Sequence, residues 1–458
     1  MTSRAGTLFM LVIGGLGGLL YGIDFGVIAV SMPYIKALKL YTDAEVSWIV
    51  GAVMFGGIIA SATAGLLCDR LGRKPMVVAA SAIFLVAIPI VCLSGTSLAV
   101  MLVGRVLQGM SAGYMAVVMP LYLAECLPPD MRGRGTGIFQ LFLGIGLVAA
   151  AAVGILIAAA FGAADAPSGP AVDEAKSLAW RVNFWWTMLP VAMLFFGSLR
   201  LRESPVWLAR RAEGAGAVRV EDGRLPDAAD GRQGFRSLLA RRYVIPFLLA
   251  VLVLTFNKLI GMSSIVAYAV SLFQKAGLSG TLANIGDLAL KGTNLAVTLL
   301  AVTLVDRKGR TWLLKVGTAG MSAGLLLIGA LFLAIERGWM ASSTFSGGVT
   351  LAVFIAMQTF YSLGPGICVW LVLSELMPSR IRANGMAIAL FANQFVAWGL
   401  ASSFFPMVNA WGYGSVFFGF AVAGVLYFIT VLFIPETKGR TLEEIEHLFD
   451  SPRPQASA

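Results

Sequence analysis

Twelve apolar runs, each long enough to cross a bilayer, constrain this chain more than any other feature. They cover residues 7–31, 46–68, 75–95, 98–125, 135–163, 182–200, 244–274, 283–305, 312–335, 348–374, 384–410 and 412–434. A hydrocarbon core about 30 Å thick takes about 20 consecutive apolar residues in helical form. Inside it each backbone N–H and C=O must be satisfied by the chain itself, and runs of this length do so as helices. Composition agrees. The chain is 58% hydrophobic and 13% charged, with mean hydropathy +0.84, whereas soluble domains run near 45–50% apolar and about 25% charged. The first run is too long, and too quickly followed by others, to be a cleaved signal peptide.

One long polar segment interrupts the series at 201–243 and carries nine arginines from Arg202 to Arg242. It divides the chain into a six-helix unit at 1–200, a linker at 201–243, a second six-helix unit at 244–434 and a tail at 435–458. The net charge of +10 sits in short blocks between apolar runs rather than on one polar face. About 25 of the 34 basic residues fall on one side of the expected topology, which predicts that side to be cytoplasmic, both termini included.

The halves repeat. Asp69-Arg-Leu-Gly-Arg73 follows span 2 and Asp306-Arg-Lys-Gly-Arg310 follows span 8. Glu125 precedes Arg132 by seven residues, as Glu375 precedes Arg382. Glu203-Ser-Pro closes span 6 and Pro435-Glu436-Thr closes span 12. Offsets of 237, 250 and 233 residues in one order argue for two parallel repeats with a site between them near mid-membrane, a transporter architecture. The short basic loops satisfy positive-inside topology by themselves. Their Asp, Gly and repetition point further, to a cytoplasmic charge latch of Asp69, Arg73, Glu125, Arg132, Glu203, Asp306, Arg310, Glu375, Arg382 and Glu436, formed in one conformation and broken in the other.

Charges inside the spans are functional candidates by default. Asp24 lies in span 1, with Arg105 in span 4 as its expected partner. A carboxylate whose cation can approach or withdraw is a proton switch; the alternative is a static buried pair. Lys258 in span 7 must face a cavity or a counter-ion. It binds an anionic substrate, pairs with an acid such as Asp287, or snorkels to an interface. Asp287 and Lys291, four apart in span 8, suit a local pair. Phe25, Trp370 and Phe395 line a cavity or serve as packing and interface anchors.

These residues resemble the sugar porters of the major facilitator superfamily over nearly the whole chain. Gly18-Leu-Leu-Tyr-Gly-Ile-Asp24-Phe-Gly-Val-Ile28 is similar to the family's GLLFGYDTGVI, and Asp69–Lys74 to its loop 2–3 motif. Pro120-Leu-Tyr-Leu-Ala-Glu125 with Arg132-Gly133 resembles PxYxxE…RG. Glu203-Ser-Pro-Val-Trp-Leu208 resembles PESPRWL without its first Pro and its Arg, and Pro435–Ile445 resembles PETKGxxLEEI. The resemblance implies an all-α membrane protein with the major facilitator fold: twelve transmembrane helices in two pseudo-symmetric six-helix bundles, with short cytoplasmic helices. It implies Asp24 as the proton-coupling acid of a symporter, modulated by Arg105, and Gln140, Trp370 and Gln394 as sugar contacts. In span 7, where the family reads QQxxGxN, this chain has Asn257, Lys258, Gly261 and Ser263. That departure shortens the amide set and inserts a charge, which suits a sugar acid.

The expected function is therefore proton-coupled symport of a sugar or sugar-like solute, neutral or acidic, through an inner (plasma) membrane. An uncoupled facilitator or exporter is the alternative, and a non-transporting sensor a lesser one, since only about 20 residues follow Glu436. No nucleophile–base set, nucleotide loop or metal cluster suggests an enzyme. The four cysteines fit small buried hydrophobes without a disulfide framework, and His447 fits a solvated tail. No cofactor, metal or nucleic acid is expected; the partners are solute, proton and lipid, and the chain is read as a monomer.

Overall fold

The computed structural model describes residues 4–128, 131–162, 166–167, 169–216, 241–377, 382–436 and 444. Among them every regular element is a helix. Helices α1 (Arg4–Ala37), α2 (Asp43–Leu71), α3 (Arg73–Cys92), α4 (Leu98–Cys126) and α5 (Arg132–Phe161) make the first five crossings. The sixth comes in two pieces, α6 (Pro170–Trp185) and α7 (Met188–Leu199), and α8 (Pro205–Gly216) lies in the expected linker. The seventh is also broken, into α9 (Arg241–Leu259) and α10 (Met262–Ala276). Then come α11 (Gly280–Lys308), α12 (Arg310–Glu336) and a broken tenth crossing, α13 (Thr344–Leu363) with α14 (Pro365–Leu376). The last two crossings run through α15 (Arg382–Leu432), which kinks at Gly412, φ 81°.

Local chemistry sets the helix starts. Thr42 and Glu45 exchange side-chain-to-backbone hydrogen bonds at the start of α2, and Ser343 with Ser346 does the same for α13. Gly72 (φ 102°) and Gly309 (φ 92°) each turn the chain in one residue between consecutive helices, a conformation that L side chains avoid. The sixth crossing starts at Pro170, twelve residues before the apolar run at 182. Its first turns carry Asp173, Glu174 and Lys176, so hydropathy reads them as loop, yet the Lys176 ammonium is buried against the Ala166 carbonyl at 2.7 Å.

Small residues bring the helices together. A Cβ at Gly18 or Gly22 would overlap the α5 backbone at Phe139 and Leu143, and one at Gly109 the α2 backbone at Val53. Without a hydrophobic force between helices in lipid, such close approach is what dispersion needs. Large apolar side chains such as Leu8, Leu93, Leu189, Phe196 and Leu327 stay exposed on the outside, where lipid solvates them.

Crossings one to six and seven to twelve form the two bundles, which meet along α2 with α15, α5 with α11 and α1 with α10. Let the terminal end be the one where α1 begins and Glu436 lies, and the far end its opposite. The seam between the bundles is closed from the far end to mid-depth. Asn409 donates to Asp43 (3.1 Å), the Phe405 N–H to Ser47 Oγ (3.1 Å), and Phe55 packs on Trp398 at 5.8 Å. Lys36 pairs with Asp43 at 2.7 Å and lies over the Phe405 ring. The deepest of these α2–α15 contacts is Gly57 against the Gln394 amide. Nearer the terminal end Phe391 and Phe395, on α15, are about half exposed.

Candidate functional site

Asp24 and Arg105 meet where α1 crosses α4. Their side chains are 0% and 1% exposed and touch through one contact, Arg105 Nη1 to Asp24 Oδ1 at 3.3 Å. The same Nη1 donates to Gln108 Oε1 at 2.8 Å, and the guanidinium sits over the Phe184 ring. Asp24 Oδ2 and Arg105 Nε have no partner among the described residues. The pair is thus long, single-point and shared with a competing acceptor, and its free carboxylate oxygen has room for a proton.

The second cluster surrounds the break in the seventh crossing. Gly261, φ 74°, separates α9 from α10, and its missing Cβ leaves room for the Phe420 ring. The Lys258 ammonium donates to Ser263 Oγ across this break at 3.4 Å. Asn257 is 4% exposed, and its Nδ2 makes no well-formed hydrogen bond among the described residues. Asp287 is not the partner of Lys258. It pairs with Lys291, one turn away on α11, at 2.6 Å, and Lys291 also reaches the Gly26 carbonyl of α1 at 3.4 Å. The i, i+4 spacing within one helix wins because it needs no rearrangement of the bundle.

The remaining candidates stand apart. Gln140 is exposed on α5, and Trp370 is 48% exposed on α14. Gln394 is half-buried at the seam beside Gly57. Phe25 stacks on Tyr21, and Phe395 lies between Phe391 and Trp398. Among the described contacts none joins Gln140 or Trp370 to the Lys258 cluster. One polar group escaped the sequence reading: Asn294 Oδ1 accepts from Thr298 (3.2 Å) and from Ser362 (3.1 Å), which in turn accepts from Gln358 (3.0 Å). The signal available was two i, i+4 polar pairs inside apolar runs.

Of the expected charge latch, Asp69, Arg73, Glu125 and Glu203 come together at the terminal end of the first bundle. Arg73, 2% exposed, donates to both oxygens of Glu125 at 3.0 Å and to Asp69 at 3.3 Å. Glu203 accepts the Arg73 and Lys74 N–H groups at 2.9 and 3.2 Å, capping α3. Ser204 donates to Glu125, and Trp207 Nε1 to the Asp69 carbonyl. In the second half Glu436 caps α12 through the Arg310 and Thr311 N–H groups, both at 3.1 Å. Each of these contacts lies within one bundle and braces it. They are also formed while the seam is closed only toward the far end. The side chains of Arg132, Asp306, Glu375 and Arg382 lie outside what the structure describes, as does His447. Cys68, Cys92, Cys126 and Cys368 form no disulfide.

Residues 9–449 match the profile of a family described as "Sugar (and other) transporter". The chain is 31% identical to the glucose transporter GlcP of Staphylococcus epidermidis, covering 97% of each. It is 26% identical to the arabinose-proton symporter of Bacillus subtilis, over 95% of this chain and 93% of that one. Its fold matches the inward-open structure of the xylose transporter XylE from E. coli with a TM-score of 0.76 at 23% identity, over 96% of this chain and 99% of that one.

Proposed function

The chain belongs to the sugar porter family of the major facilitator superfamily, and from that premise we propose that it carries a sugar or sugar-like solute together with a proton by alternating access. The observation that carries this reading is the Asp24–Arg105 pair, buried, single-point and with one carboxylate oxygen bare. A buried carboxylate costs least when neutral or paired. A proton on Asp24 releases Arg105 to Gln108, already its closer partner, and frees α1 and α4 from their mutual charge. That is a differential interaction of the kind a ligand-driven shift between states requires.

The basic loops argue that the terminal end faces the cytoplasm of a plasma-membrane protein. With the seam closed toward the far end, the cleft then opens inward. Gln140 of the fifth crossing, Asn257, Lys258 and Ser263 of the broken seventh, Trp370 of the broken tenth and Gln394 of the eleventh are the residues proposed to meet the solute there, broken crossings being where transporters place their sites. The test uses purified protein in liposomes. Wild type should accumulate labelled hexose against a gradient when the outside is acidified. Asp24→Asn should lose accumulation yet keep exchange of labelled for unlabelled solute. Accumulation by the variant would remove Asp24 from coupling; exchange without any proton dependence in wild type would make the protein a facilitator.

A further inference from the structure

We propose that the preferred solute is an anion, a sugar acid or similar polyhydroxylated carboxylate, held by the Lys258 ammonium at the break in the seventh crossing. The proposal rests on reading the chain as a solute carrier and names the class of solute.

Lys258 lies about 25 Å along the helix from either end of the α9–α10 pair, at 1.5 Å per residue. Its four-carbon stem cannot snorkel that far. An ammonium at this depth faces a water-filled cleft or a counter-charge, and Lys258 is part-exposed. The acids of the first and eighth crossings lie nearer the far end, and both are engaged elsewhere, Asp24 with Arg105 and Asp287 with Lys291. Among the described residues the only polar partner of Lys258 is the neutral Ser263 hydroxyl, at a long 3.4 Å. Two of the three ammonium donors are left over.

The groups beside Lys258 are neutral. Asn257, the preceding residue, has a buried amide N–H₂ group that makes no well-formed hydrogen bond, with the Tyr361 and Tyr427 hydroxyls beside it. Ser264, just beyond the break, is fully buried with its hydroxyl unpartnered. The break sets the last carbonyls of α9, in whose last turn Lys258 lies, against the first N–H groups of α10, so the two helix ends offset one another. The ammonium, the amide and the hydroxyl together lack a carboxylate partner among the described residues. A neutral sugar would satisfy the amide and the hydroxyl and leave the charge unmatched. A carboxylate matches the charge, and the sugar hydroxyls answer the rest.

The charge balance is consistent with symport. One proton moving with one monovalent carboxylate is a neutral cargo, so this substrate class would be driven by the pH gradient and not by the membrane potential.

The experiment is a binding titration on the purified full-length protein in detergent. It uses matched pairs, D-glucuronate with D-glucose and D-galacturonate with D-galactose, on wild type, Lys258→Gln and Lys258→Arg. Wild type should bind at least one uronate about tenfold or more tightly than its hexose. Lys258→Gln should weaken that uronate by roughly 10- to 100-fold and change the hexose by less than about threefold. Lys258→Arg should keep the preference, which also guards against a Gln variant that fails to fold. Equal or better binding of both hexoses by wild type overturns the anion proposal and leaves the carrier reading standing. Equal loss of both ligands in Lys258→Gln also overturns it. Binding of neither class by wild type overturns the carrier reading with it.

Discussion

Two ion pairs among the described residues lie within the spans, one in each bundle, and they are built differently. Asp287 and Lys291 belong to the same helix, meet at 2.6 Å, and are 0% and 2% exposed. Asp24 and Arg105 belong to different helices and meet at 3.3 Å through a single contact; each pair leaves one carboxylate oxygen unpartnered, Asp24 Oδ2 and Asp287 Oδ1, and this one leaves Arg105 Nε bare as well. A pair within one helix keeps its geometry whatever the helix does as a rigid body. A pair between helices changes whenever one helix moves against the other. The first is suited to permanence and the second to switching, although both sit at similar depth on facing crossings. Lys291 adds a link, since its bond to the Gly26 carbonyl ends two residues from Asp24, across the bundle seam.

The largest expected effect comes from breaking the permanent pair. Lys291→Met leaves Asp287 buried without its cation, which costs about 3–5 kcal/mol. Thermal melts of the detergent-solubilised protein should show it as a large loss. The double change Asp287→Asn with Lys291→Met removes both charges and should recover most of the stability. If single and double variants melt alike, the two groups are not an ion pair in the protein.

Much of this was legible in the residues. Asp24 with Arg105 and Asp287 with Lys291 were expected partners, because an apolar run leaves a charge few places to go. The paired Gly72 and Gly309 turns follow from the repeated motif. The breaks at Gly261 and Gly364 were not legible. Both lie within continuous apolar sequence, and hydropathy averages over a window without registering backbone direction. Nor could the sequence tell an intra-bundle brace from an inter-bundle latch, because spacing says which charges suit each other and not which bundles approach. The Lys291–Gly26 link depends wholly on that approach.

The next effect tests the brace. Glu125→Ala removes the acceptor of two Arg73 donors and of Ser204. The loss is expected at about 1.5–3 kcal/mol, the range for hydrogen bonds to a charged group. Because all the partners lie within one bundle, cysteine accessibility from the terminal end should barely change. Increased accessibility at unchanged stability would restore the latch between conformations.

Asp24→Asn probes the comparison directly. The amide keeps the shape of a protonated carboxyl, and Arg105 keeps Gln108. The stability cost should therefore stay near 1 kcal/mol, well below that of Lys291→Met, even as proton-driven accumulation is lost. A cost as large as that of Lys291→Met would mean that both pairs are structural and that the looser geometry of the first has no bearing on switching.

The smallest effect separates the two helix caps. Glu203 and Glu436 each accept the first N–H groups of an incoming helix, one in each half of the repeat. A carboxylate at a helix N-terminus contributes about 0.3–1 kcal/mol through the macrodipole, beyond its hydrogen bonds. Glu203→Gln and Glu436→Gln keep an acceptor oxygen and remove the charge, so each should shift the melt by an amount near the limit of detection. The caps lie in different bundles and share no partner, so the losses should add to within about 0.5 kcal/mol in the double variant. The Arg73–Glu125 contact also holds α3 in place, so Glu203→Gln should cost no more than Glu436→Gln. A double variant much worse than the sum would show the two caps acting through each other across the seam. The repeated charges would then be one device spanning both bundles rather than two copies of a local brace.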